Sequence, residues 1–196
     1  MGNDRFMARP KSDDKRNAIL TAAIEVVAEL GPAAPTARIA KLAGVAEGSL
    51  FTYFATKDEL LNQLYLELKS DLRQAMLAPA PDADSARKRL QQAWQQYVHW
   101  GVSYPEKRKV LAQLGVSDRI SAQSKAEGQR GFSEINALLQ ESLAGGALKE
   151  RPAAFVGAIM AALAEATMDF MAKDPARAEE YAASGFEAFW NAIATG

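Results

Sequence analysis

The fold is decided by residues 36–54, which read TARIAKLAGVAEGSLFTYF. Within this stretch Ala40 precedes Gly44 by four positions, and Leu50 follows Gly44 by six. Glycine tolerates the positive φ of a sharp turn, a small residue lets one helix cross another closely, and Leu50 can fill the angle between them. The spacing predicts helices over 36–43 and 47–54 in a helix-turn-helix, although a plain helical hairpin would share that spacing.

The outer side of the second short helix carries small and hydrogen-bonding residues. They are Gly48, Ser49, Phe51, Thr52 and Tyr53. If Leu50 points inward, this side faces solvent. Such residues suit contacts with phosphates and base edges, so the segment is a candidate nucleic-acid interface.

Helices flank this segment on both sides. Upstream, apolar residues recur at the spacing of one helical face and predict a helix over 13–30. They are Ile19, Ala23, Val26, Val27 and Leu30. Ser12 is the predicted N-cap of that helix, and Gly31 with Pro32 ends it. Downstream, Thr56 and Glu59 have the spacing of a capping box, which predicts a helix from Thr56 to about residue 77.

The rest of the chain is also predicted to be helical. The APAP stretch at 78–81 resembles a linker and marks a domain boundary. Further helices are predicted over 85–104, 106–114, 117–145, 152–173 and 175–194. Strict alternation of apolar and polar residues is lacking throughout, so we predict an all-α fold of about nine helices.

Composition narrows the possible functions. The 196 residues include no cysteine and a single histidine, His99, and the formal net charge is −1. Thiolate sites and disulfides are therefore excluded, and one histidine is weak material for a metal site or a catalytic triad. We expect no enzymatic activity, no metal and no cofactor. Because no uninterrupted apolar run of about 18 residues occurs, we also expect no membrane partner and a cytoplasmic protein.

The first third of the chain carries a longer pattern. Its parts are ILTAA at 19–23, LG at 30–31, TARIA at 36–40, AGV at 43–45, GSLFTYF at 48–54 and KDELL at 57–61. This pattern resembles the amino-terminal domain of the tetracycline-repressor (TetR) family. The resemblance implies a homodimer whose two recognition helices, 47–54, read successive major grooves of a palindromic double-stranded DNA operator.

The resemblance also implies individual DNA contacts. The predicted DNA-binding residues are Thr36, Ala37, Gly48, Ser49, Phe51, Thr52, Tyr53 and Lys57. Of these, Thr36, Tyr53 and Lys57 would bind phosphate, and Gly48 would let the backbone approach it. Three residues depart from the family pattern: Ala46 lacks a capping side chain, Glu47 would repel phosphate, and Phe51 lacks a common hydroxyl.

The carboxy-terminal part is expected to bind a small-molecule effector and to dimerise. The predicted pocket residues are Trp94, Tyr97, Trp100, Tyr104 and Met160, although such aromatic spacing also occurs in an ordinary core. The predicted interface residues are Ala158, Ala162, Phe186, Phe189 and Trp190. An intramolecular helix pair would use the same small and aromatic residues.

These expectations define a division of the chain by role. Residues 1–11 would be a disordered basic arm, 12–56 the three-helix DNA-binding domain, 57–78 a connecting helix, and 79–196 the ligand-binding and dimerisation domain. The function expected is that of a sequence-specific transcription regulator, a repressor released from its operator by a hydrophobic or aromatic effector. The alternatives are a helical protein-interaction module and a regulator without a small-molecule ligand.

Overall fold

The computed structural model describes residues 11–79, 84–143 and 148–194. Within these ranges the chain forms ten α-helices, one short 3₁₀ helix and no strand, which confirms the all-α prediction. The helices are α1 (Lys11–Leu30), α2 (Thr36–Leu42), α3 (Glu47–Tyr53), α4 (Lys57–Met76), α5 (Ala86–Ser103), α6 (Pro105–Gly115), α7 (Ala122–Arg130), α8 (Ser133–Ser142), α9 (Ala153–Lys173) and α10 (Ala178–Ala194), with the 3₁₀ helix at Pro175–Arg177.

The chain divides into two compact units. The first unit combines described residues up to Leu66 with Glu106–Ser124, and the second combines Glu67–Pro105 with the described residues from Lys125 onward. The division by role at 12–56, 57–78 and 79–196 stays a prediction. Residues 1–10 of the predicted basic arm, residues 80–83 of the linker region and the predicted helix end at Gly145 and Gly146 lie outside the described residues.

Helix α1 buries the face that its periodicity predicts. Its buried residues include Ile19, Ala23, Val26 and Val27. Leu30 belongs to the same pattern but is 41% exposed, because the chain leaves the helix at Gly31, whose φ is +76°. The helix begins at Lys11, so Ser12 lies inside it and the predicted N-cap at Ser12 is wrong.

The start of α4 has the predicted cap at Thr56, and Glu59 reaches back to the amide of Ala55, the residue before Thr56. The backbone N–H of Glu59 donates to Thr56 Oγ1 at 3.0 Å, and Glu59 Oε2 accepts from the backbone N–H of Ala55 at 2.8 Å. Side-chain caps of this kind satisfy amides that have no intrahelical partner. The cap therefore fixes the first turn of α4, where Lys57 lies.

The core of the second unit centres on Trp94 of α5. Its side chain is fully buried, and its indole Nε1 donates to the backbone carbonyl of Ala182 on α10 at 2.9 Å. The ring stacks on Phe189 with centroids 6.1 Å apart and meets Phe186 in a tilted contact at 6.5 Å. A buried indole needs such a hydrogen-bond partner, and this one ties α5 to α10.

A glycine permits the close approach of α9 and α10. A Cβ at Gly185 would lie 2.8 Å from Trp94 Cζ2 and closer still to Thr167 Oγ1. Thr167 is held in place because its hydroxyl donates to the carbonyl of Leu163 at 2.8 Å. Only glycine fits at position 185 without a shift of its neighbours.

The region predicted as one helix over 117–145 contains two, and this accounts for the tenth helix. Helices α7 and α8 are separated by Gly131 and Phe132, where the N–H of Phe132 bonds the carbonyl of Gln129 at 3.0 Å in a tight turn. This turn directs the ring of Phe132 under the ammonium group of Lys69, with Nζ 4.9 Å from the ring centroid. A residue at the break therefore contacts Lys69 of α4, and the local sequence does not indicate this contact.

Helix α9 is 21 residues long and, by length and composition alone, apolar enough to cross a membrane. One third of its most apolar window is buried inside the chain. The helix contains no uninterrupted apolar run of about 18 residues, because Glu165 and Asp169 interrupt its sequence. A large exposed apolar surface of this kind marks a site of contact with another protein surface or with a membrane.

Candidate nucleic-acid interface and effector cavity

The helix-turn-helix is built as its sequence predicts. Helices α2 and α3 are joined at Gly44, whose φ of +67° is in the region that favours glycine. The N–H of Val45 closes the turn on the carbonyl of Ala40 at 3.0 Å. Ala40 and Leu50 are buried at the crossing, with 1% and 0% of their surface exposed. Because Leu50 is buried on the inner side of α3, the opposite side of the helix faces outward.

All eight predicted DNA-binding residues reach the surface of the first unit. Ala37, Gly48, Ser49, Phe51 and Thr52 are exposed, and Thr36, Tyr53 and Lys57 are half-exposed. Phe51 exposes 41% of its surface, which is unusual for a large apolar ring. A ring exposed in this way on a helix that could enter the major groove suits contact with a thymine methyl group.

The start of α3 contains a contact that sequence reasoning missed. Ala46 is the N-cap residue and offers no side-chain cap, as its identity predicts. The hydroxyl of Thr36 donates to Glu47 Oε1 at 2.8 Å, which links the first residues of α2 and α3. The sequence predicts that Glu47 favours the dipole of α3 and repels phosphate, and in the structure its carboxylate also accepts a hydrogen bond from Thr36. The unusual glutamate thus has a structural partner in the predicted interface.

Lys57 lies in an electrostatic setting suited to an anion. Burial lowers the pKa of Lys57, the positive charge of Arg119 lowers it further, and Asp58 opposes both effects. Arg119 itself donates to Asp58 Oδ1 at 2.8 Å. A phosphate beside Lys57 would favour the charged amine and offset these penalties.

The side-chain amide of Asn62 on α4 forms two hydrogen bonds with the backbone of the segment before α7. Asn62 Nδ2 donates to the carbonyl of Arg119 at 2.9 Å, and Asn62 Oδ1 accepts from the N–H of Ser121 at 2.9 Å. Two opposed hydrogen bonds from one amide define its orientation and the register of the bound backbone. Sequence reasoning missed these two hydrogen bonds, because Asn62 and its partners are almost sixty residues apart and neither segment shows a local signal.

The second unit contains a cavity of about 310 Å³, called the effector cavity below. It is lined by Lys69, Leu72, Met76, Tyr97, Gln129, Phe132, Ile135, Asn136, Leu139, Ala153, Ala154, Gly157, Ala158, Met160 and Ala161. Its volume is at the lower end of the range for small-molecule sites. Tyr97 and Met160, two of the predicted pocket residues, line it, and so does Ala158, which was predicted for the dimer interface.

The other three predicted pocket residues lie elsewhere in the second unit. Trp94 is enclosed by the aromatic core of α10. Trp100 is buried, with its Nε1 donating to Asp71 Oδ2 at 3.1 Å, and its ring lies 6.3 Å from that of Tyr104. Tyr104 is 48% exposed. None of these three residues lines the effector cavity, and their role in ligand binding stays a prediction.

The predicted interface residues divide into two groups. Ala158 and Ala162 are exposed on α9, whereas Phe186 and Phe189 are buried inside their own chain. Trp190 is half-buried, with the guanidinium carbon of Arg87 5.3 Å from its ring centroid. Five exposed apolar residues of α9 form a stripe along the helix, called the α9 stripe below. They are Phe155, Ala158, Ala162, Ala166 and Phe170.

Lys69 is the cavity residue that the sequence could have indicated. It follows Tyr65 by four positions and precedes Leu72 by three and Met76 by seven, so it shares their helical face. All three of those neighbours are buried. A lysine in register with buried apolar residues is a signal of a buried charge or of a polar cavity.

These features define a class of all-α proteins in which one unit carries a helix-turn-helix and the other contains a cavity of about 310 Å³. Residues 19–64 match the family described as bacterial regulatory proteins, tetR family. These residues therefore form a tetR-family amino-terminal domain, and the chain has the fold of tetR family transcription regulators. The predicted resemblance of the amino-terminal segment is confirmed, and it extends to the fold of the whole chain.

Three similar proteins illustrate this relation. A structure from Shewanella sp. PV-4, described as a tetR family transcription regulator, is 26% identical, with a TM-score of 0.83 over 93% of this chain and 99% of that one. The transcriptional regulator FadR from Bacillus subtilis in complex with stearoyl-CoA is 19% identical, with a TM-score of 0.71 over 90% and 98%. The fatty acid metabolism regulator protein of Bacillus subtilis (strain 168) is 34% identical over 73 residues, which span 37% of this chain and 38% of that relative.

Proposed function

We propose that the protein is a sequence-specific DNA-binding transcription regulator, a repressor that leaves a palindromic operator when a small apolar effector binds. The observation that carries this proposal is the outer side of α3. Ser49, Phe51 and Thr52 are exposed there, while Leu50 on the opposite side is fully buried. A rigid helix with exposed hydroxyls and an exposed ring can read base edges in a major groove. It would act on DNA in the cytoplasm and involves no catalysis.

We propose that the protein acts as a homodimer, because a palindromic operator has two equal half-sites. The α9 stripe supports this proposal. Phe155 and Phe170 at its two ends are 50% and 54% exposed, and alanines lie between them. Small residues permit close helix packing and the terminal rings add apolar area. In a dimer, the α9 stripe of the second copy would bury this exposed apolar surface, which is part of a helix apolar enough to cross a membrane.

The effector is proposed to occupy the effector cavity. Most of its lining is apolar, which suits a ligand with a hydrocarbon portion. Two of the similar proteins point in the same direction, since one is described as a fatty acid metabolism regulator and the other was crystallised with stearoyl-CoA. The effector class proposed is therefore a molecule with an acyl chain. It releases DNA only if it binds the DNA-free state more tightly.

The DNA-binding proposal is tested by the salt dependence of affinity. We expect Lys57→Ala to weaken binding to specific and non-specific duplexes alike and to lower the slope of log K against log salt by about one. The control is Lys88→Ala, which removes the same charge from an exposed lysine that is paired with Asp84 in the second unit. Fluorescence anisotropy on an operator selected from random duplexes measures both slopes.

The same experiment separates this proposal from a protein-interaction module. A module of that kind would select no common sequence from random duplexes. If Lys57→Ala and Lys88→Ala change the salt slope equally, Lys57 does not bind phosphate. If no sequence is enriched by the wild-type protein, sequence-specific regulation is wrong.

A further inference from the structure

Arg119 lies beside the predicted phosphate-binding residue Lys57, although more than sixty residues separate the two in the sequence. Its Nη1 donates to Oδ1 of Asp58, the residue next to Lys57, at 2.8 Å. The guanidinium is close enough for its positive charge to lower the pKa of Lys57. All three residues belong to the first unit, which also contains the helix-turn-helix. Because Arg119 lies outside the amino-terminal domain, the resemblance of that domain assigns it no role.

The backbone of Arg119 is held on both sides of the residue. Its N–H donates to Ser117 Oγ at 3.2 Å, and its carbonyl accepts from Asn62 Nδ2 at 2.9 Å. The next residue, Ile120, is buried with 3% of its surface exposed. A side chain on a fixed backbone loses less conformational entropy when it binds a ligand than one on a loose loop. Arg119 therefore has a defined place next to the start of α4.

The ion pair with Asp58 orients the guanidinium and leaves it able to bind an anion. A guanidinium has five N–H donors, and the bond to Asp58 uses one of them. The side chains of Arg119 and Asp58 are 46% and 57% exposed, and ion pairs with such exposure contribute little to stability. A phosphate can therefore bind the guanidinium without the loss of a strong interaction.

We propose that Arg119 is a second phosphate-binding residue of the DNA interface, which together with Lys57 holds the operator backbone at the start of α4. This inference rests on the proposed function, which assigns Lys57 to a phosphate. Two neighbouring cations repel each other, and a phosphate beside them adds an attraction to both. Arginine suits this role because its planar fork can bind two phosphate oxygens at once. Since the whole chain has a net charge of −1, local pairs of cations must supply the attraction to DNA.

The salt dependence of DNA affinity in the full-length protein tests the proposal. We expect Arg119→Gln to weaken binding to specific and non-specific duplexes by about tenfold and to lower the slope of log K against log salt by about one. Arg119→Lys keeps the charge and should keep the slope. The matched control is Arg89→Gln in the second unit, which should also keep it. Arg89 forms an ion pair with Glu141 at the same distance, 2.8 Å, with side chains that are 48% and 54% exposed.

A variant without the charge of Asp58 separates phosphate binding from an indirect effect. Arg119→Gln also removes the partner of Asp58, whose carboxylate would then repel phosphate more strongly. We therefore compare Asp58→Asn with the double variant Asp58→Asn/Arg119→Gln. The double variant should have the lower slope, by about one, because Arg119 itself binds phosphate. Equal slopes would show that Arg119 only neutralises Asp58, and the proposal would be wrong.

The outcomes also distinguish this inference from the proposed function. If Lys57→Ala lowers the salt slope and Arg119→Gln does not, DNA binding by the protein stands and the role of Arg119 is wrong. If the wild-type protein selects no common sequence from random duplexes, sequence-specific regulation itself is wrong. Circular dichroism should show wild-type helix content for Arg119→Gln, because this side chain is exposed and its loss leaves no cavity.

Discussion

Replacement of Gly48 by alanine should make the protein more stable and a weaker DNA binder. Gly48 is the second residue of α3 and is exposed, and a Cβ built there meets no atom within 4 Å. Its φ is not positive, so alanine fits the backbone without strain. Alanine is favoured over glycine in a helix by up to about 1 kcal/mol. We therefore expect the melting temperature to rise by about 1–4 °C.

The same methyl group should impair binding if the backbone at Gly48 approaches a phosphate. The loss of one hydrogen bond to a charged group is worth about 1.5–3 kcal/mol, or roughly 10- to 150-fold in affinity. Phosphates carry no sequence information, so specific and non-specific duplexes should lose affinity by the same factor. Thermal unfolding and fluorescence anisotropy at one fixed salt concentration measure the two effects separately.

Gly115, the last residue of α6, provides the matched control. It is also exposed, and a Cβ there also meets no atom within 4 Å. Gly115→Ala should leave DNA affinity unchanged. The reasoning is refuted if Gly48→Ala keeps wild-type affinity, because the backbone would then not approach phosphate. A fall in melting temperature would show instead that the space around Gly48 is not open.

Three further substitutions test other parts of the structure. Gly185→Ala should destabilise the protein by about 1–3 kcal/mol in denaturant unfolding, because the new Cβ overlaps Thr167 and Trp94; an unchanged midpoint would contradict the close packing of α9 and α10. Ala162→Arg should give monomers in sedimentation equilibrium without loss of helix content, and a dimer that persists would exclude the α9 stripe as the interface. Glu47→Gln keeps an acceptor for Thr36 but removes the negative charge, so DNA affinity should rise, most at low salt; equal affinity would mean that Glu47 lies away from phosphate.

The helix-turn-helix could be predicted from sequence because its determinants are local. Gly44, Ala40 and Leu50 lie within eleven residues, and each has a single structural role. The cap formed by Thr56 and Glu59 is equally local. In such segments the pattern of residue types defines both the turn and the buried side.

The second unit could be predicted only as a set of helices. Aromatic spacing on α5 indicates a buried face, but it does not say whether Trp94 meets a ligand or the rings of α10. Phe186 and Phe189 illustrate the same ambiguity, since a dimer interface and a core use the same residue types. Phe132, at the break between α7 and α8, contacts Lys69, more than sixty residues away. Partners so distant along the chain cannot be read from one sequence.

The construction of α3 has a consequence for how this protein can change. Seven residues with a glycine near the start and no side-chain cap make a poor helix by themselves, so the segment is held by Leu50 on its inner side. Ser49, Phe51 and Thr52 contribute little to that anchoring, because their side chains are exposed. Under the proposed function, substitutions there would alter the preferred DNA site with almost no loss of folding stability. If the proposed role of α3 holds, a gene duplicate would acquire new target promoters through a few point mutations while keeping its scaffold intact.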